Sequence, residues 1–156
     1  MTDLNPGDRA PGFDLPTDGG GRARLADYAG SRLVLYFYPK DDTSGCTAEA
    51  VGFSANIEAF RAAGVQVLGV SKDSPKSHDK FKAKYGLDLR LAADEDGKTV
   101  EAYGVWVEKS MYGRKYMGIE RATFLIDPSG TIQAVWRKVK VTGHVEAVLK
   151  AAGARG

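Results

Sequence analysis

The sequence predicts a single domain of the α/β class, and three observations carry that reading. Residues 33–38 form a continuous apolar run, rich in β-formers and ended by Pro39, which reads as a strand buried on both faces. An amphipathic stretch from Cys46 to Gly64 follows it. A second apolar run at 65–73 then leads into a second helical stretch at 74–86. Strand, helix, strand, helix in that order implies parallel strands joined by crossovers. With 156 residues and 43% hydrophobic composition the chain can build one core of ordinary size.

Each element has a local reason. Residues 1–31 are rich in Gly, Pro and Asp with short apolar pieces at 13–15 and 24–28, which predicts a hairpin or turn layer ahead of the main sheet. After Cys46, the residues Ala50, Phe53, Ile57 and Phe60 recur at helical spacing, and Gly64 supplies the stop. Ser74 is the expected N-cap of the next helix, with Pro75 at its first position. A short strand and turn at 89–97 and a short helix at 98–105 come next. Two β-rich runs within 122–139 surround Pro-Ser-Gly, a hairpin signal. Thr142 is the expected cap of a last helix, and the tail after Ala152 is expected to fray. The basic segment 109–115 reads as a solvated loop, with a contact to another protein as the alternative.

Charge and composition exclude several classes of function. There are 22 basic and 20 acidic residues scattered along the chain, a net charge of +2, so neither nucleic acid nor an anionic membrane is an indicated partner. No apolar run has the length of a transmembrane helix, and the opening residues lack the layout of a signal peptide, so the expected location is cytoplasmic. One cysteine and two distant histidines, His78 and His144, point away from a disulfide framework and from a zinc site; no metal or cofactor is expected.

The single cysteine is the residue to explain. Cys46 lies in YPKDDTSGCTAEA, at the junction of a Pro-containing loop and the start of a helix, where free backbone N–H groups and the helix dipole stabilise negative charge on sulfur. Its neighbours Asp41, Asp42, Thr43, Ser44 and Gly45 are polar or flexible, which places it outside the middle of a core segment. Ionisation alone does not make a fast peroxide-reducing thiol. Lowering a thiol pKa from ~8.5 to ~6 raises the thiolate fraction roughly 30-fold, while the accompanying loss of nucleophilicity is roughly tenfold. Such a site also needs fixed donors for the departing oxygen. Thr43 and the loop amides are the nearby candidates, although the Thr43 hydroxyl has a purely capping role open to it as well.

The segment FYPKDDTSGCTAEA resembles the active-site segment of peroxiredoxins, in particular the bacterioferritin-comigratory-protein or Q-type group. APGFDLPTDGG, VLGVSKDSPKSHDKF, SMYGRKYMGIERATFLID and VTGHVEAVLKA extend the resemblance over nearly the whole chain in the same order. It implies a thioredoxin-like fold, a central mixed β-sheet flanked by helices with an N-terminal hairpin. The family motif Pro-x-x-x-Thr-x-x-Cys falls on Pro39, Thr43 and Cys46, which makes Cys46 the peroxidatic nucleophile and Thr43 the hydroxyl that orients it. The family's distant arginine falls on Arg121, a permanently charged planar donor for thiolate and peroxide. Glu49 is expected to position Arg121. Gly45 belongs to the site, and Phe37, Tyr38, Trp106 and Met117 are candidates for the pocket wall. His78 is expected to make a structural or capping hydrogen bond.

The chain departs from the family pattern where the resolving cysteine stands in many members, five residues after the peroxidatic one; here that position is Val51. Ser44 replaces the usual proline before Gly-Cys, and Val107 a glycine. With one cysteine, the implied activity is a thiol-dependent peroxidase acting on hydrogen peroxide and alkyl hydroperoxides. An external thiol such as thioredoxin, glutaredoxin or glutathione would return its sulfenic acid to thiol. The resemblance implies a monomer or small dimer rather than a ring. Two other readings stay open: a thioredoxin-like thiol transferase acting on mixed disulfides, and a non-catalytic holdase module that keeps only the fold.

Overall fold

The run at 33–38 does become the middle of a sheet. In the computed structural model, which describes residues 4–153, β3 (Arg32–Phe37) is flanked by β4 (Val65–Ser71) on one side and β8 (Ala122–Ile126) on the other. The strand order is β5-β4-β3-β8-β9, with β5 at Arg90–Ala93 and β9 at Ile132–Trp136. β3, β4 and β5 run parallel, whereas β8 and β9 are antiparallel, so the sheet is mixed. From residue 33 onward every residue of β3 is buried, because both faces of the sheet are covered.

The two faces carry two cores. Leu33, Leu35 and Phe37 pack with Phe124, Val100 and Tyr103 and with the N-terminal layer, including Leu15 of β1 (Asp14–Pro16) and Ala23 of β2 (Arg22–Arg24). Val34, Tyr36 and Tyr38 pack on the other face against α1 (Ser44–Ala55), α2 (Ile57–Ala62), α3 (Pro75–Tyr85) and α5 (His144–Gly153). The short α4 (Lys98–Ala102) belongs to the first face. The expected N-terminal hairpin is present as β1 paired antiparallel with β2.

Three details differ from the sequence reading. The helix after Cys46 is broken at Asn56, whose side-chain Nδ2 donates to the Gly52 carbonyl at 2.8 Å, satisfying an acceptor that the next helical turn would have taken. The segment read as a solvated loop is an antiparallel hairpin, β6 (Trp106–Met111) with β7 (Arg114–Ile119), turned by Tyr112 and Gly113, both at positive φ. The last helix begins at His144, so Gly143 rather than Thr142 stands directly before it. Ser74 caps α3 as expected, accepting from Ser77 N at 3.1 Å, with Pro75 at the first position. The expectation of a frayed tail falls mainly on residues 154–156, outside the described residues. No helix of the described residues is long and apolar enough to cross a membrane.

Candidate active site

The site forms because two strand ends meet. In the β3·β8 register Phe37 pairs with Ala122, so Tyr38 leaves the end of β3 beside the point where Arg121 enters β8. The chain then turns at Pro39 and enters α1, where Thr43 holds the N-cap position and Cys46 lies in the first turn. A thiol and a guanidinium 75 residues apart are thereby brought together. Arg121 Nη2 donates to Cys46 Sγ at 3.4 Å, and Nη1 donates to Glu49 Oε1 at 2.7 Å.

The electrostatics follow from burial. Glu49 is fully buried one turn beyond Cys46, and desolvation raises its carboxyl from the ordinary 4.5 to about 7, against the opposing pull of Arg121. Burial works against the Arg121 charge too, but the negative charges of Glu49 and Cys46 outweigh it and leave the guanidinium pKa raised. Gly45 leaves room for this approach: a Cβ there would stand 3.1 Å from Arg121 Nη2, so the guanidinium would have to shift by a few tenths of an ångström. Cys46 itself is only 2% exposed and joins the core with Ala50 and Phe53, a deeper setting than its polar neighbours in sequence suggest. The exposed face of the site is Thr43, whose hydroxyl caps no amide of α1. It donates instead to the Lys40 carbonyl at 2.9 Å.

The proposed pocket residues separate. Tyr38 shares the Cys46 face of the sheet, but Phe37, its neighbour in sequence, points to the opposite face and packs on Tyr103 and Phe124, so it cannot line a pocket at Cys46. Side chains alternate along an extended chain, and two adjacent residues do not wall one cavity. Trp106 packs against that same opposite core and lies under Lys72 Nζ, 4.3 Å from its ring centroid. Met117 is 49% exposed on the hairpin. His78 makes the expected structural hydrogen bonds, to Asp41 and to the Ala92 carbonyl.

Three residues near the site were missed. Tyr36, stacked on Phe53 with ring centroids 4.6 Å apart, has a buried hydroxyl with no hydrogen-bond partner among the described residues. Burial first, then the charges of Glu49 and Cys46, pushes its ionisation far upward. The alternation of β3 places it with Tyr38 and was the available signal. Lys109 of β6 is lowered by burial and by Arg121 and raised by Cys46, so its ammonium lies within electrostatic reach of both. His144 is packed edge-on to Phe53, faces the Thr123 hydroxyl at 2.8 Å, and is lowered from 6.5 to about 4 by burial and by Arg121.

A helix N-terminus at the end of a central strand, carrying one thiol under a guanidinium on a mixed five-stranded sheet, defines the class of thioredoxin-like thiol enzymes. Comparison with known proteins narrows this class. The model of the AhpC/TSA family matches residues 6–135. The chain is 55% identical over 146 residues to a putative peroxiredoxin bcp of Coxiella burnetii, covering 94% of this chain and 97% of the relative. It is 51% identical over 141 residues to peroxiredoxin Bcp of Xanthomonas campestris, covering 89% and 88%. Among solved structures, a mutant of Xylella fastidiosa PrxQ matches with a TM-score of 0.94 at 42% identity, over 99% of both chains. The bacterioferritin comigratory protein of Xanthomonas campestris, studied for its alkyl peroxide reduction activity, matches with 0.87 at 48% identity, over 92% of this chain and 91% of that one. The chain belongs to the AhpC/TSA family as a peroxiredoxin of the Bcp/PrxQ type, a thiol-dependent peroxidase.

Proposed function

We propose that the chain reduces hydrogen peroxide and alkyl hydroperoxides through Cys46 in a one-cysteine cycle completed by an external thiol. The observation that carries the reading is the 3.4 Å contact between Arg121 Nη2 and Cys46 Sγ, in a site whose guanidinium is fixed from behind by buried Glu49. The Cys46 thiolate attacks the distal oxygen of the peroxide; an S–O bond forms, the O–O bond breaks, and the departing alkoxide or hydroxide takes up a proton to leave as alcohol or water. Arg121 stabilises the charge as it passes from sulfur to oxygen, and the Thr43 oxygen accepts from the peroxide O–H. The alkyl peroxide activity named for the Xanthomonas campestris relative supports the same substrate class here.

The sulfenic acid left on Cys46 meets no second cysteine in this chain. One equivalent of external thiol condenses with it, releasing water and forming a mixed disulfide, and a second thiol displaces Cys46 as thiol. Thioredoxin, glutaredoxin and glutathione all offer this chemistry. The test is the second-order rate of Cys46 oxidation by hydrogen peroxide and by an organic hydroperoxide, read by intact mass, for wild type and Arg121→Ala. Rates far above a free thiol that collapse in the variant are expected. Free-thiol rates in both proteins would sink the reading and favour thiol transfer or a holdase role.

A further inference from the structure

The peptide between Lys40 and Asp41 is held at both its polar ends. Its carbonyl accepts the Thr43 hydroxyl at 2.9 Å, and its N–H donates to Asp73 Oδ2 at 2.8 Å. Asp73 is steadied in turn, because the hydroxyl of buried Ser71 donates to the same oxygen at 2.7 Å and accepts from Asp73 N at 3.1 Å. The Asp41 side chain, buried at 4% exposure, anchors the other end of the residue. It accepts from the Tyr38 hydroxyl at 2.6 Å and the Ser77 hydroxyl at 2.8 Å, and it faces His78 Nδ1 at 2.7 Å. His78 is itself fixed by the Ala92 carbonyl, 2.9 Å from Nε2.

These contacts have one outlet. A peptide plane is rigid, so fixing its N–H and the side chain that follows it fixes where its carbonyl points. The Lys40 carbonyl claims the only proton of the Thr43 hydroxyl, and what remains on that oxygen is lone pairs. An oxygen so prepared accepts a hydrogen bond and cannot give one. It therefore selects a substrate that brings its own O–H to the thiolate, as a hydroperoxide does.

We propose that Asp73 and the Asp41–His78 pair are positioning residues for the peroxidase reaction, acting through the Lys40–Asp41 peptide to keep the Thr43 oxygen an oriented acceptor. The proposal rests on the reading of Cys46 as the peroxidatic thiol. It goes further in assigning a catalytic consequence to a polar cluster from the end of β4, the loop between β4 and α3, α3 itself and the loop between β3 and α1.

The test compares two reagents on the same thiol. Hydrogen peroxide needs the Thr43 acceptor, whereas methyl methanethiosulfonate, which carries no O–H or N–H, needs only the thiolate. Rates of Cys46 modification are measured by intact mass for wild type, Asp73→Ala and Asp73→Asn, with thermal melts confirming the fold. Asp73→Ala is expected to lose about ten- to hundredfold toward peroxide, the scale of a small misplacement, while its rate with the thiosulfonate stays within about twofold. Asp73→Asn, whose side-chain oxygen can still accept from Asp41 N, is expected to recover most of the loss. If Asp73→Ala does not fold, Ser71→Ala removes only the hydroxyl steadying the same oxygen and gives the same comparison with a smaller loss. A fast wild type with equal losses toward both reagents, or no loss, or an Asp73→Asn as slow as Asp73→Ala, overturns the positioning role alone. A wild type no faster than a free thiol overturns the peroxidatic reading and this proposal with it.

Discussion

Gly45 leaves open the space against which Arg121 lays its guanidinium: a Cβ there would stand 3.1 Å from Nη2 and 3.9 Å from Cζ. Gly45 is a helical residue of α1, so alanine improves helix propensity by up to about 1 kcal/mol. Stability and activity are then expected to part. Gly45→Ala should melt no lower than wild type, while its peroxide rate falls about tenfold as the guanidinium shifts off the sulfur. Melting curves and intact-mass oxidation rates on one preparation check this, and an unchanged rate would show that Arg121 tolerates the displacement.

A second glycine serves packing. A Cβ on Gly69 of β4 would stand 2.7 Å from Tyr36 Cζ and 2.9 Å from Leu91 Cδ2, both fully buried. Overpacking of this kind costs about 1–3 kcal/mol, which is the loss expected for Gly69→Ala in urea unfolding. Tyr36→Leu frees the space, so the double variant should lose less than the two single losses added together. Simple additivity would mean that the sheet yields by moving its backbone rather than its side chains.

How far the sequence reaches is visible at particular residues. The buried strand at 33–38 was legible from its run of apolar β-formers, but a run does not say which side chains share a face. Only its period of two separates Tyr36 and Tyr38 from Phe37. The helix break at Asn56 was hidden because Phe53, Ile57 and Phe60 keep their common face across it. The β6–β7 hairpin was obscured by exposure: eight consecutive residues, 110–117, are exposed, and the stabilising partners lie across the strands rather than in a core. The Tyr112–Gly113 turn was its one local signal. Local pattern could not have paired Arg121 with Cys46, since that contact depends on the β3·β8 register. The family resemblance supplied it.

Two buried groups beside Arg121 should give stability opposite dependences on pH. Glu49 binds its proton more tightly when folded, with a carboxyl raised from 4.5 to about 7 by burial, so the stability it contributes is lost as pH rises across that window. His144, lowered from 6.5 to about 4 by burial and by Arg121, binds its proton less tightly when folded. Its contribution is therefore lost as pH falls from 6.5 toward 4. Each effect is on the order of 3 kcal/mol at most, and they oppose one another where the windows overlap. In a Cys46→Ser background, which removes the reactive thiol, Glu49→Gln should expose stability that rises from pH 4 to 6.5, and His144→Gln stability that falls from pH 4.5 to 7. Denaturant midpoints at closely spaced pH values report this, and parallel curves for the two variants would contradict it.

Over-oxidation should follow from Val51. A sulfenic acid with no resolving thiol in its own chain waits for an external one and meets further peroxide meanwhile, so excess peroxide without reductant should drive Cys46 to the sulfinic acid. Val51 is 42% exposed in α1, and cysteine there costs little packing. Five residues of α-helix separate the two positions by about 7.5 Å along the axis, beyond the reach of a disulfide, so a bridge forms only if the start of α1 unwinds. Intact mass distinguishes the outcomes, since the sulfinate adds two oxygens and the bridge removes two hydrogens. Val51→Cys should divert most of the sulfinate into the bridged form if the sulfenic acid loosens α1. Equal sulfinate in both proteins would mean that α1 stays wound after oxidation and that every resolving thiol must come to Cys46 in the folded site.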